Sequence, residues 1–165
     1  ELLAESLEVS DLLLHRRDAG LQAGRDSPAL IGRLGRPKRE QLADVPLVVD
    51  DDDPVRVMLA RLLRTQGYTV LQAAHASEAR AQIDLQKPDL VISDIVMPGE
   101  SGIELRRNIL ERWPGLPVIL ISGYSAEGPA EFAARTPNTV FVQKPFAADQ
   151  FLALVEATLA SAAGN

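Results

Sequence analysis

Leu90-Val91-Ile92-Ser93-Asp94 is an apolar run that ends on a lone acid. Three other segments share its plan. Leu47-Val48-Val49 leads into Asp50-Asp51-Asp52-Asp53, Val118-Ile119-Leu120-Ile121 into Ser122, and Val140-Phe141-Val142-Gln143 into Lys144-Pro145. Continuous apolar runs of this length read as strands covered on both faces, as in a parallel sheet. Ligands of such sheets gather beyond the carboxyl ends of the strands. The chain therefore places acids, a hydroxyl and an ammonium around one crevice.

The segments between these runs read as helices. Asp53 is expected to cap a helix starting at Pro54, with Val55, Met58, Leu59, Leu62 and Leu63 as its apolar face and Gly67 as its stop. Tyr68–Ala73 reads as a second strand, followed by a helix from about Ser77 that Pro88 closes. A loop holding Met97-Pro98-Gly99-Glu100-Ser101-Gly102 precedes a helix ended by Trp113-Pro114. The stretch 125–136 is a weak helix, with Gly128-Pro129 in its first turn, and Asp149–Leu159 is the last helix. Five β/α units with right-handed crossovers give an α/β fold, a three-layer α/β/α sandwich.

Composition narrows the function classes. The chain has 165 residues, 46% hydrophobic and 24% charged, with a net charge of −6. That acidity argues against nonspecific nucleic-acid binding as the main role. Cysteine is absent, which removes thiolate and disulfide chemistry and suits a reducing, cytoplasmic setting. No apolar stretch reaches the ~18 residues of a membrane span.

The chain divides near residue 45. Residues 1–44 read as a helix-prone segment and linker, 46–160 as the regular domain, and 161–165 as a flexible tail. Leu7, Leu14 and Leu21 stand seven apart, a spacing that could pair two copies weakly through residues 1–21. Gly20 and Gly24 interrupt it before three heptads are complete. The basic cluster Arg33, Arg36, Lys38, Arg39 reads as solvated linker, and His15 as a surface histidine. The chain begins at Glu1 and ends at Asn165, just after the last helix, so no DNA-binding domain is expected within it.

Val48-Val49-Asp50-Asp51 with Arg56, Asp94-Ile95-Val96-Met97-Pro98 with Gly102, Ser122-Gly123, and Lys144-Pro145-Phe146 resemble, in order and spacing, the receiver (CheY-like) domain of two-component signalling. The resemblance implies a flavodoxin-like sheet of five parallel strands in the order 2-1-3-4-5. It implies that Asp94 accepts a phosphoryl group from a partner's phosphohistidine, on a histidine kinase or a histidine phosphotransfer protein. Asp51 would hold Mg²⁺ directly and Asp50 through water, with Asp94 and the Val96 backbone carbonyl completing the protein's share. Ser122 and Lys144 would complete the catalytic set, Ser122 and Phe141 would form the switch, and Lys144–Pro145 would be cis. The domain would catalyse only its own phosphorylation and dephosphorylation.

The chemistry of the residues agrees with this. Two carboxylates ~4 Å apart repel by about 4 kcal/mol at an effective dielectric of 20. One lysine cannot neutralise three acids, and oxygen-only ligands with room for water favour Mg²⁺. Val96 and Tyr124 flank the path of a hydrolytic water, and neither has an acid or amide to orient it, so a long-lived acyl phosphate is expected. Two other settings stay open. Ser122-Gly123-Tyr124 resembles receivers attached to hybrid sensor kinases, and an Asp-nucleophile phosphatase is the remote rival, although Val96 stands where that chemistry needs a second Asp.

Overall fold

The computed structural model of the chain describes residues 44–123 and 127–163. The expectations for residues 1–43, including pairing through 1–21, and for Tyr124 lie outside the described residues, as do the last two residues of the tail. Five strands, β1 (Pro46–Val49), β2 (Leu71–Ala73), β3 (Leu90–Asp94), β4 (Val118–Ser122) and β5 (Thr139–Gln143), alternate with five helices. These are α1 (Asp53–Thr65), α2 (Ala76–Leu85), α3 (Gly102–Arg112), α4 (Glu127–Arg135) and α5 (Ala148–Ala162). The strands are parallel and ordered β2-β1-β3-β4-β5. Among the described residues no helix is long and apolar enough to cross a membrane.

Continuous apolar runs bury both faces of the central strands, as the sequence pattern implied. Alternate residues face opposite layers. Leu47, Val49, Val91, Val118 and Leu120 pack with Ala76, Ala79 and Ile83 of α2 and Leu105 and Ile109 of α3. Val48, Leu90, Ile92, Ile119 and Ile121 pack on the other side with Leu59 and Leu63 of α1 and Phe151 and Val155 of α5. Each such large apolar side chain contributes about 1.5–3 kcal/mol on burial.

Local chemistry moves several boundaries. The cap of α1 is Asp52, not Asp53, and its side chain accepts the Val55 N–H at 3.3 Å. The Asp52 N–H donates to the Asp50 carboxylate at 2.9 Å, which turns the chain one residue earlier than Pro54 alone implied. Gly67 ends the turn after α1 at φ +88°, a left-handed conformation costly for residues with a Cβ. Met58 was expected on the apolar face of α1 but is 54% exposed. The buried stripe centres on Leu59, Ala60 and Leu63, which turns Met58 aside. β2 is confined to Leu71–Ala73, and α5 runs past Leu159 to Ala162 through a stretch rich in alanine, a strong helix former.

α3 starts with a capping box that the sequence reading missed. Ser101 Oγ accepts the Glu104 N–H at 3.3 Å, and the Glu104 carboxylate accepts the Ser101 N–H at 2.9 Å. Reciprocal bonds of this kind satisfy two orphan donors at a helix start.

A second missed residue is Arg106, fully buried in α3. It donates to Thr139 Oγ1 at 2.8 Å, the Leu116 carbonyl at 3.1 Å and the Pro137 carbonyl at 2.5 Å. Among the described residues no carboxylate lies within ion-pair reach of it. Burial pushes its pKa down to about 10, so it stays a cation at neutral pH. Arg106 thereby holds the connection Thr136-Pro137-Asn138 that leads into β5. Asn138 sits there at φ +51°, and its side chain donates to the Pro114 carbonyl at 3.1 Å.

Candidate functional site

Strand register alone brings the sequence-selected residues to one edge. Val49 pairs with Ser93, so Asp50 follows β1 at the level of Asp94. Asp94 pairs with Ile121, the residue before Ser122, and Ser122 pairs with Gln143, the residue before Lys144. With strands ~4.8 Å apart, four such tips span one crevice.

Side chains close that crevice. Lys144 Nζ lies 2.7 Å from Asp94 Oδ1 and 3.4 Å from Asp50 Oδ2. Asp94 Oδ2 accepts the Val96 N–H at 2.7 Å, and the Lys144 N–H donates to the Ser122 carbonyl at 2.7 Å. Asp50, Asp94 and Ser122 are buried, while Asp51 is exposed. Arg56 donates to the Asp50 carbonyl at 2.7 Å and pairs with Asp53, bracing the acidic turn from α1. Lys144–Pro145 is cis. Phe141 is half-buried and packs on the α2/α3 side of the sheet, and Val96 is 58% exposed in the loop after β3. The acids at the two strand tips thus share one ammonium.

The electrostatics set two buried acids against one ammonium. Burial raises the Asp50 pKa; the Asp52 N–H and Lys144 offset part of this, and the nearby Asp94 adds to it. Burial pulls Lys144 down, but its hydrogen bond to Asp94 and the field of Asp50 outweigh that, and its net shift is upward. For the metal-free protein the sign follows. A carboxyl whose folded pKa is raised contributes stability at acid pH, and this is lost as pH rises from the ordinary 3.8 through the folded value. Acidification from neutrality through that window is therefore expected to stabilise the parent relative to Asp50→Asn. Urea midpoints of the two proteins at several pH values check this; parallel profiles would contradict it.

Among the described residues no group of three or more His, Asp or Glu side chains is drawn together tightly enough to hold a metal by itself. Mg²⁺ does not need one: it binds through one or two carboxylates and keeps several waters. Two converging carboxylates with a single ammonium between them, beside the exposed Asp51, fit that requirement.

Two contacts near the site go beyond the motifs, one of them made by Gly102, which the motif around Asp94 already includes. Gly102, the first residue of α3, sits against the end of β3. A Cβ there would lie 2.2 Å from the Asp94 carbonyl oxygen and 3.0 Å from Ser93 Oγ. Glu100, in the loop between β3 and α3, pairs with Arg80 of α2 and accepts from Asn108 Nδ2 at 2.7 Å. The pairing of a loop acid with an arginine twenty residues earlier leaves no periodic trace in sequence.

A family model for the response regulator receiver domain matches residues 47–156. The DNA-binding transcriptional regulator NtrC of Salmonella typhimurium is 38% identical over 109 residues, 66% of this chain and 23% of NtrC. The phosphate regulon transcriptional regulatory protein PhoB of Pseudomonas aeruginosa is 34% identical over 115 residues, 68% of this chain and 50% of PhoB. The chain therefore spans half or less of the length of these curated relatives. Among solved structures, a CheY-like receiver domain protein from Methanospirillum hungatei matches with a TM-score of 0.70 at 26% identity, covering 74% of this chain and 98% of that one. The receiver domain of NtrX from Brucella abortus matches with a TM-score of 0.62 at 35% identity, covering 69% and 97%. With its strand order, its strand-tip acids and these matches together, the chain belongs to the response regulator receiver domains of two-component signalling.

Proposed function

We propose that Asp94 accepts a phosphoryl group from the phosphohistidine of a partner histidine kinase or histidine phosphotransfer protein, and that the acyl phosphate switches a protein-interaction surface. The observation that carries this reading is the Lys144 ammonium 2.7 Å from Asp94 Oδ1, with Asp94 Oδ2 fixed by the Val96 N–H. One carboxylate is thus oriented at the crevice with a cation beside the position the transferred group would take. An Asp94 oxygen attacks phosphorus, the P–N bond breaks, and the imidazole leaves with the electron pair. Lys144 and the Ser122 hydroxyl then meet the phosphoryl oxygens, the placement of donors at developing charge that lowers such barriers. Mg²⁺, held by Asp50, Asp51, Asp94 and the Val96 carbonyl, would neutralise charge on the transferred group. Drawing Ser122 toward the phosphoryl group would leave space for Phe141, a local charge event biasing a two-state element.

The domain would act on itself rather than turn over an external substrate, in the cytoplasm. Val96 stands where an Asp-nucleophile phosphatase would need its second acid, which disfavours that rival. The regulators NtrC and PhoB among its relatives favour a regulator setting over a hybrid kinase.

Incubation with phosphorylated kinases or phosphotransfer proteins is expected to label the parent and not Asp94→Ala. Labelling of both, or of neither by any donor including acetyl phosphate, would overturn the assignment. With Val96 two residues after the acceptor, and no acid or amide there to orient water, the label should persist for minutes or longer, and Val96→Asn should shorten its life.

A further inference from the structure

We propose that Glu100 is a positioning residue for phosphorylation at Asp94. This inference rests on Asp94 being the acceptor. The loop between β3 and α3 carries the Val96 N–H that holds one Asp94 oxygen. The base of the loop is closed by backbone. The Gly102 N–H donates to the Ile95 carbonyl at 3.0 Å, and Ser93 Oγ donates to the Asp94 carbonyl at 2.8 Å. Buried Met97 anchors its middle. Beyond it, Pro98 and Gly99 are exposed, and Gly99 adopts φ +80°.

Glu100 supplies the restraint. One carboxylate oxygen pairs with Arg80 of α2 and the other accepts from Asn108 of α3 at 2.7 Å. The Glu100 side chain is 22% exposed and that of Arg80 37%, so the pair is less screened than those at the open surface. A two-sided clasp of this kind fixes the loop in translation and rotation relative to two helices. The direction of the Val96 N–H, and with it the orientation of the Asp94 carboxylate for in-line attack, follows from the loop's position. Rates of positioned reactions are steep in such placement, and a displacement of about 1 Å can cost up to ~100-fold.

The experiment compares the parent, Glu100→Ala, Glu100→Gln, the exchange Arg80→Glu with Glu100→Arg, and Asp94→Ala. Each is labelled with acetyl phosphate and Mg²⁺ at a temperature where it is fully folded. Glu100→Ala is expected to lower the rate about fivefold and to shift the Val96 amide resonance, while Glu100→Gln falls between it and the parent. The charge exchange is expected to restore at least half of the lost rate, which general destabilisation would not do. A Glu100→Ala rate within twofold of the parent, an unmoved Val96 resonance, or an exchange without rescue would overturn the proposal. Labelling of Asp94→Ala, or none of the parent, would instead overturn the acceptor assignment, and this inference with it.

Discussion

Lys144→Met is expected to lower the rate at which the protein is phosphorylated by acetyl phosphate by roughly 100-fold or more, in a chain that still folds. Methionine keeps an unbranched four-atom stem and removes the ammonium. The ammonium is 2.7 Å from the acceptor carboxylate on a side chain that is 28% exposed, so its interaction with developing phosphoryl charge is only partly replaced by water. Loss of one preorganised donor at such a position typically costs 10²–10³ in rate. The same substitution removes a positive charge that repels a second cation. Mg²⁺ is therefore expected to bind Lys144→Met at least as tightly as the parent. Calorimetric titration with Mg²⁺ and a time course of labelling separate the two effects. Phosphorylation within threefold of the parent would show that Lys144 only fills the crevice.

Gly102→Ala is expected to destabilise the fold by about 3 kcal/mol, the upper range for forcing an extra methyl into a packed site. For a domain of this size that is a fall of roughly 10–15 °C in melting temperature. The new Cβ would meet the Asp94 carbonyl oxygen at 2.2 Å and the Asp94 carbonyl carbon at 3.1 Å. Neither is the end of a flexible side chain. β3 lies between β1 and β4 and cannot withdraw without breaking two ladders. The start of α3 must move instead, taking with it the Ser101–Glu104 cap and the bond from the Gly102 N–H to the Ile95 carbonyl. Differential scanning calorimetry checks this, and a melting temperature within ~2 °C of the parent would show that the helix start yields freely.

Much of this was legible because a parallel sheet writes itself plainly. A strand covered on both faces must be apolar throughout, so Leu90–Ser93 and Val118–Ile121 stand out, and whatever polar residue follows sits at the open edge. Asp50, Asp94, Ser122 and Lys144 were found by that logic. The residues that were missed serve contacts between segments far apart in the chain. Glu100 looks like any loop acid until α2 brings Arg80 beside it. Arg106 looks like a solvent-facing helix residue, although it shares a helical stripe with Gly102, Leu105 and Ile109, all buried. Attention to that stripe would have found it. The cap falls on Asp52 rather than Asp53 because that choice depended on where Asp50 pointed, which local preference does not encode.

Arg106 also sets how the molecule should respond to its ionic surroundings. The pairs Arg112–Asp84 and Arg135–Glu131 are open to solvent, and dissolved salt weakens such contacts. The acceptors of Arg106 are two peptide carbonyls and a hydroxyl, none of them charged, and the bond to the Leu116 carbonyl is buried. The end of the sheet away from the acids is thus tied by bonds between a cation and neutral acceptors, which brine weakens less than it weakens the exposed ion pairs.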